Sequence, residues 1–366
     1  MITRADEYPF HQTSEPMAFA GTDRNFYDRF FFNGYTPDGD IFFAIAFGLY
    51  PQLGIMDGAV CILKDGKQHN VRVSRRMNGD RSDLKVGPLS IEILEPLSRS
   101  RIILAPCDSE ISLDLTFHVR HPPVEEPRFT RRIGTRAFMD YTRMTQNVAW
   151  SGTIHLGDQQ ISIKAEETFG TRDRSWGIRP VGASEPQPPR DGNLKQFFWL
   201  WNPCNFEDYV AFSHTNDDAF GRPWNRRAAI QKIGGKLYEF DDVEYDYQWV
   251  EKTRRIKSVS ALLKGDTGEA TISFTTGPLF YMSGLGYTHP VWGHGRDHGE
   301  EAFQYDVIAT DECQPTDPLY LHIQALAKAK LVFNGVEREG MGVVEQLFIG
   351  PHEPTGMAEG VALIRE

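Results

Sequence analysis

Ile111-Ser112-Leu113-Asp114-Leu115-Thr116-Phe117-His118-Val119 alternates apolar and polar residues without a fault. Side chains along a β-strand point to opposite faces in turn, so this run is a strand with one dry face and one wet face. The same style continues on both sides of it. Upstream, residues 30–35 and 41–49 flank Thr36-Pro37-Asp38-Gly39-Asp40, which has the proline, aspartate and glycine of a hairpin turn. The run 41–49 is apolar at every position, the pattern of a strand covered on both faces. Residues 57–64 and 69–75 pair around Asp65-Gly66, a favoured hairpin dipeptide. Downstream, strand character resumes over 144–156 and 160–164 and fills the second half, through 196–202, 209–215, 227–233 and on to 342–349. Residues 319–333 hold three alanines at alternate positions, which favour helix, but Asn334-Gly335 behind them favours a hairpin and a strand. No convincing amphipathic helix appears, so the predicted fold is all-β, of sandwich or barrel type.

A chain of 366 residues is long enough for two domains. The proline-rich segment 181–192 is the natural joint, giving domains over 1–182 and 183–366. Gly152-Thr153-Ile154-His155-Leu156 before Gly157-Asp158 has a rough counterpart in Ala329-Lys330-Leu331-Val332-Phe333 before Asn334-Gly335. That echo fits two similar barrels in tandem.

The formal net charge of −11 argues against a nucleic-acid partner, whose binders display basic surfaces. The longest apolar run, 41–50, is too short to span a bilayer, and the first residues carry no apolar leader. The four cysteines are far apart and form no Cys-x-x-Cys, which fits a reducing cytoplasm better than a disulfide framework. No glycine-rich strand-to-helix loop is present for a nucleotide cofactor, and no Gly-x-Ser-x-Gly elbow for a hydrolase. The expected chemistry is therefore cofactor-independent. Aromatic residues make up 12% of the chain, which serves either large β cores or an aromatic-lined cavity.

Two stretches break the strand pattern. In Gly170-Thr171-Arg172-Asp173-Arg174-Ser175-Trp176-Gly177-Ile178-Arg179, charges crowd beside a large aromatic, and such charges are expensive to bury unless paired. Either Asp173 is a salt-bridge partner in a strand-end turn, or it is a cavity carboxylate held by arginines with Trp176 as a wall. In Gly286-Tyr287-Thr288-His289-Pro290-Val291-Trp292-Gly293-His294-Gly295, followed by His298, three histidines lie close to carboxylates. They suit a pocket rim or an acid/base role. A metal site is the lesser reading, because the segment is glycine-rich and loop-like. Trp199 and Trp201 share one face of a strand, as a core stripe or as part of a binding wall.

Gly170-x-Arg172-Asp173-Arg174-Ser175-Trp176-Gly177 resembles the hydroxyneurosporene synthase (carotenoid hydratase) and AttH-like superfamily. Phe30-Phe31-Phe32-Asn33-Gly34-Tyr35, the Gly286–Gly295 stretch and Ile349-Gly350-Pro351-His352 resemble its uncharacterised bacterial branch. The resemblance implies two tandem lipocalin-like β-barrels and a cavity for an apolar ligand. It implies acid/base chemistry of the hydratase, lyase, isomerase or cyclase kind, on a hydrophobic small molecule such as an isoprenoid or polyketide. A non-catalytic carrier is the alternative. The hydroxyneurosporene synthases carry a histidine where this chain has Arg174, and a tyrosine and an aspartate that align loosely with Phe212 and His214. Only Asp173 and Trp176 carry over cleanly. The expected catalytic residues are Asp173, His289 and His294. The expected substrate contacts are Arg174, Trp176, Trp199, Trp201, Tyr287 and Trp292. Asp173 or an adjacent arginine is expected within one shell of His289 or His294, the pairing with Asp173 raising the histidine's pKa, and no metal is expected.

Overall fold

The computed structural model describes residues 1–19, 21–187 and 194–360. Among them the regular structure is strand, with only short 3-10 turns between. Two antiparallel sheets account for nearly all of it. In the first, Phe26–Tyr35 lies at the centre of the strand order. On one side follow Ile41–Tyr50, Ile55–Lys64 and Lys67–Arg76; on the other, Phe169–Ile178, Arg136–Leu156, Ile111–Val119, Arg99–Leu104 and Leu89–Glu95. In the second, Phe197–Asn205 takes the central place. Tyr209–Asp217, Pro223–Lys232 and Leu237–Phe240 run one way; Val336–Ile349, Ile323–Phe333, Gly268–Tyr281, Ile256–Gly265 and Asp242–Trp249 run the other. The two orders are the same strand for strand. Each sheet curls until its ends approach, which makes two tandem lipocalin-like barrels. The hairpin over Asn334-Gly335 is a strand pair, as its turn chemistry predicts.

Binary patterning places the cores. Phe43, Ile45, Phe47 and Leu49 point into the first barrel, together with Phe32, Phe117 and Trp150. Phe42, Ala44 and Ala46, on the other face of the same strand, join a different cluster with Phe31, Phe129, Trp199, Trp201 and Phe280. That second cluster is the seam between the barrels. The run 41–49 is apolar throughout because one face fills a barrel and the other fills the seam. The second barrel has its own filling of Phe198, Leu200, Phe240, Phe274, Leu331 and Phe348. Polar cross-links close the seam: Asn33 Nδ2 donates to Gln324 Oε1 (3.0 Å), Asn205 Nδ2 to Tyr35 Oη (2.9 Å), and Tyr35 Oη to Met341 O (2.9 Å).

One strand departs from the division by sequence halves. Glu301–Ala309 pairs with Lys67–Arg76 and extends the first sheet. The chain thus returns from the second barrel to the first before completing the second, and the histidine loop at 286–298 is strung across that return. The N-terminal segment contains two 3-10 turns. Asp6 ties them together by accepting from Thr3 N (2.6 Å) and Met17 N (2.8 Å). The joint proposed over 181–192 falls partly on residues 188–193, which lie outside the described residues. All four cysteines are free. Among the described residues no helix is long and apolar enough to cross a membrane.

Candidate active site

Three neighbouring strands of the first barrel carry polar residues on their outer faces in register. Arg29 stands opposite Ser175, and Ser175 opposite Arg143; one row on, Phe31, Asp173 and Thr145 are aligned; the row on the other side brings Tyr27 and Tyr141 together across Gly177. The second barrel answers with Phe197, Trp199, Glu345 and Leu347, again alternate positions on adjacent strands. His322 and Tyr287 come from the connections between strands. Between these walls is a cavity of about 170 Å³, lined by Tyr27, Arg29, Tyr141, Arg143, Asp173, Arg179, Trp199, Tyr287, His322 and Glu345, with Met139, Phe197 and Leu347 among the apolar contributors. It lies between the barrels and inside neither.

Asp173 faces this cavity without a hydrogen-bond partner among the described residues. Burial pushes its carboxyl up to about 7; the positive charge of Arg143 opposes that, and the carboxylates Glu126 and Glu345 reinforce it. The group is therefore poised between its acid and base forms near neutral pH.

Glu345, across the cavity, is the opposite kind of carboxyl. Its burial alone favours the neutral form. Four favourable influences outweigh that and hold it below the usual range: His322 by hydrogen bond and charge, and Gln324 and Trp199 by hydrogen bonds. Oε1 accepts from Trp199 Nε1 (2.8 Å) and lies 2.8 Å from His322 Nε2, and Oε2 accepts from Gln324 Nε2 (2.6 Å). A donor at His322 Nε2 leaves Nδ1 as the lone-pair nitrogen. That atom is buried and has no hydrogen-bond partner.

Arg143 is held from behind. Glu126 accepts from its Nε (3.0 Å) and its Nη2, and from Thr145 Oγ1 (2.5 Å). The guanidinium lies 4.6 Å from the Trp199 ring and 5.3 Å from the Trp201 ring. His214 adds an imidazole 3.4 Å from Glu126; burial drives its pKa down to about 4, so it stays neutral.

The structure gathers some of the expected site residues and disperses others. Asp173, Trp199 and Tyr287 line the cavity. Trp201 is wholly buried in the seam, edge-on to Phe31, and does not reach it. Arg174 and Trp176 point away, because residues 173 and 175 share one face of the strand and 174 and 176 the other. Arg174 pairs with Asp28 and lies 3.9 Å over Phe30, and Trp176 is 40% exposed. The two charges flanking Asp173 are thus not its partners.

His294 sits one layer behind the cavity. Its ring meets Tyr287 edge-on at 4.4 Å, Arg29 abuts Nε2, and Arg179 Nη2 is 3.1 Å from Nδ1. Burial, then Arg29 and Arg179, hold it well below its ordinary pKa. The expected rise of a histidine pKa by Asp173 is thereby reversed in sign. His289 is a loop device: Nδ1 accepts from Val291 N (3.2 Å) and Trp292 N (2.9 Å), and burial lowers its pKa to about 4. Trp292 stacks on His298 at 4.1 Å and lines a separate hollow of about 10 Å³ behind Arg29. Among the described residues no group of three or more His, Cys, Asp or Glu is placed to hold a metal. Gly286 matters sterically. Its φ is +93°, and a Cβ there would lie 2.6 Å from Trp292 O and 3.0 Å from His294 Cδ2.

Tyr27, Arg29, Tyr141, Arg143, Arg179, His322 and Glu345 were not anticipated. Glu345 did leave a signal, as a carboxylate set among Val343, Val344 and Leu347 in an apolar strand. The others become visible only when three strands are laid side by side in register.

Fold and cavity together define the class: an all-β protein of two tandem lipocalin-like barrels with a polar cavity between them. Among solved structures, it is similar to a putative AttH from Nitrosomonas europaea (14% identity, TM-score 0.54, covering 93% of this chain and 98% of that one). It is also similar to kievitone hydratase from Nectria haematococca (12% identity, TM-score 0.55, 87% and 88% covered) and to CghA with Sch210972 (10% identity, TM-score 0.51, 89% of each). At these identities the likeness is one of fold. Within that class, the chain belongs to the family described as "Family of unknown function (DUF8625)", which matches residues 2–358. No curated protein matches it.

Proposed function

We propose that the protein is an acid/base enzyme that binds a hydrophobic small molecule between its two barrels and protonates it from Asp173. The observation that carries this reading is an unpartnered carboxyl with a pKa of about 7 in an aromatic-walled cavity, opposite an ionised carboxylate that orients a histidine. The proton on Asp173 passes to an alkene, enol or carbonyl of the substrate. Tyr27, Tyr141, Tyr287 and Trp199 surround the electron-poor centre that results, and their π faces favour positive charge. His322, oriented by Glu345, takes the compensating proton from water or from the substrate. Isomerisation needs these two transfers alone; hydration adds a C–O bond formed to water between them, dehydration is its reverse with the protonated hydroxyl leaving as water, and proton-initiated cyclisation adds a C–C bond, so none needs a further reagent than water. A kievitone hydratase on the same fold supports hydration and dehydration. A carrier for an apolar ligand has no use for a poised acid, and the polar walls favour catalysis.

The test starts from Asp173→Asn. This variant should retain unconverted substrate through purification, to be released by organic extraction and identified by mass spectrometry. Wild-type protein should convert that extracted compound, and the variant should not. Equal conversion by both proteins would remove Asp173 from the chemistry.

A further inference from the structure

Arg29 and Arg179 set the character of the substrate, an inference that rests on the cavity being the reactive site. Both guanidinium groups line it. Arg29 is 2% exposed, and its contacts are His294 Nε2 and the Leu285 carbonyl (3.3 Å). Arg179 contacts His294 Nδ1 and lies 4.5 Å over the Tyr27 ring and 5.6 Å from the Tyr287 ring. Neither has a carboxylate at ion-pair distance among the described residues, and Nε of each is buried without a partner. Other interior guanidiniums are balanced: Arg143 by Glu126 and Arg72 by Asp306. Arg120 is satisfied by Asn205, Phe206 and Glu207 oxygens. Arg172 is buried without an ion-pair partner among the described residues, but it lies over Phe117, in the packing of the first barrel. Among the described residues, Arg29 and Arg179 are buried guanidiniums without an acid that converge, through His294 and Tyr287, on one wall of a space large enough for a ligand; Arg24 and Arg136, which line another space, are paired with Glu185.

Two buried positive charges facing a shared cavity are costly unless an anion arrives. The protein's own acids do not fill the role. Asp57 feels both arginines, but its oxygens are taken by Gly295 N (2.7 Å) and Tyr50 Oη (3.1 Å). Glu345 is committed to Trp199, His322 and Gln324. Asp173 forms no ion pair with either arginine. We propose that Arg29 and Arg179 form a seat for a delocalised oxyanion, so that the substrate is an apolar molecule bearing a carboxylate or an ionised enol. Planar guanidinium groups match such an oxyanion with paired hydrogen bonds. The seat also explains why the wall uses arginine where a purely hydrocarbon ligand would ask for leucine. A bound oxyanion beside Asp173 favours the protonated acid, so binding itself readies the proton donor.

The test uses small probes and needs no turnover. Benzoate, enolised 1,3-cyclohexanedione and benzamide are titrated calorimetrically into wild-type protein near neutral pH. The two anions should bind at least about tenfold tighter than the amide, the scale of a charge-assisted hydrogen bond. Benzoate preferred over the dione identifies a carboxylate substrate, and the reverse identifies an enolate. In Arg179→Gln the anion preference should collapse toward unity, and in Arg179→Lys much of it should remain, with melting curves confirming that both variants fold. Asp173→Asn should tighten the anions and leave the amide unchanged. Equal binding of all three probes by the wild type would overturn the seat, whatever the variants do. So would failure of either anion to bind at about 10 mM, below any useful affinity, or an unchanged preference in Arg179→Gln. Because probe selectivity is read without catalysis, the seat and the acid role of Asp173 can fail separately.

Discussion

The interior of each barrel and the seam between the barrels are built from the same strands but put to different ends. Inside the first barrel, Phe32, Phe43, Phe117 and Trp150 meet ring to ring, with centroids 5.3–6.0 Å apart. The volume that a lipocalin-like barrel offers a ligand is here occupied by side chains. On the outside of the same sheet the alternate positions carry Arg29, Arg143, Asp173 and Tyr141, and the facing barrel leaves them a cavity. Doubling a barrel thus creates a second kind of interior. It can hold polar chemistry because neither barrel needs it for its own core.

That contrast predicts that the two regions separate activity from stability. Asp173→Asn should reduce turnover by roughly 10²–10⁴-fold, the usual contribution of a positioned acid. Steady-state rates on the compound extracted from the variant measure it, and a loss of only twofold would break the comparison. Phe43→Ala, in the packed interior, should lower unfolding stability by about 3–5 kcal/mol in urea titrations. Its probe binding in the seam should persist wherever the protein remains folded. If the Phe43 variant loses binding before it loses structure, the two interiors are not independent.

A third test sharpens the comparison through pH. The folded pKa of Asp173, about 7, lies above its ordinary value of 3.8. Its contribution is therefore fully favourable below the unfolded pKa and is lost as pH rises from about 4 through 7. Asp173→Asn should melt higher than wild type at alkaline pH, and the difference should close as pH falls toward 4. A variant less stable at every pH would mean that Asp173 is a structural ion-pair partner. Trp199→Phe removes one donor to Glu345 and should cost about 1 kcal/mol. The smallest effect belongs to Trp176→Ala, on the outward face, which should change stability by no more than about 0.5 kcal/mol and leave probe binding intact.

The fold was legible because strands advertise themselves locally. Alternation at 111–119, turn dipeptides at Asp65-Gly66 and Asn334-Gly335, and the echo of 152–156 in 329–333 all lie within short windows. The doubly apolar run 41–49 marked a strand covered on both faces, and the structure makes one of them the seam. Of the residues that line the candidate cavity, the sequence singled out only Asp173, Trp199 and Tyr287. Arg174 and Trp176 looked like its neighbours because sequence proximity hides the period of two that turns them away. The histidines drew attention by their density, yet His322, far from that cluster, is the one beside a carboxylate at the cavity. Register across strands is a tertiary fact, and the row Arg29–Ser175–Arg143 is written in three distant segments. Glu301–Ala309 went to the unexpected sheet for the same reason: its own pattern specifies a strand but not a partner.

The central claim is that Asp173 stands half-protonated near neutral pH in a cavity between two filled barrels. Its most direct test is the carboxyl resonance of Asp173 in ¹³C-labelled protein, assigned by its disappearance in Asp173→Asn and followed through a pH titration. A midpoint near 7 is the predicted result. A midpoint at or below the ordinary aspartate value of 3.8 would contradict it, leaving Asp173 a plain counter-ion and the seam a joint without an acid.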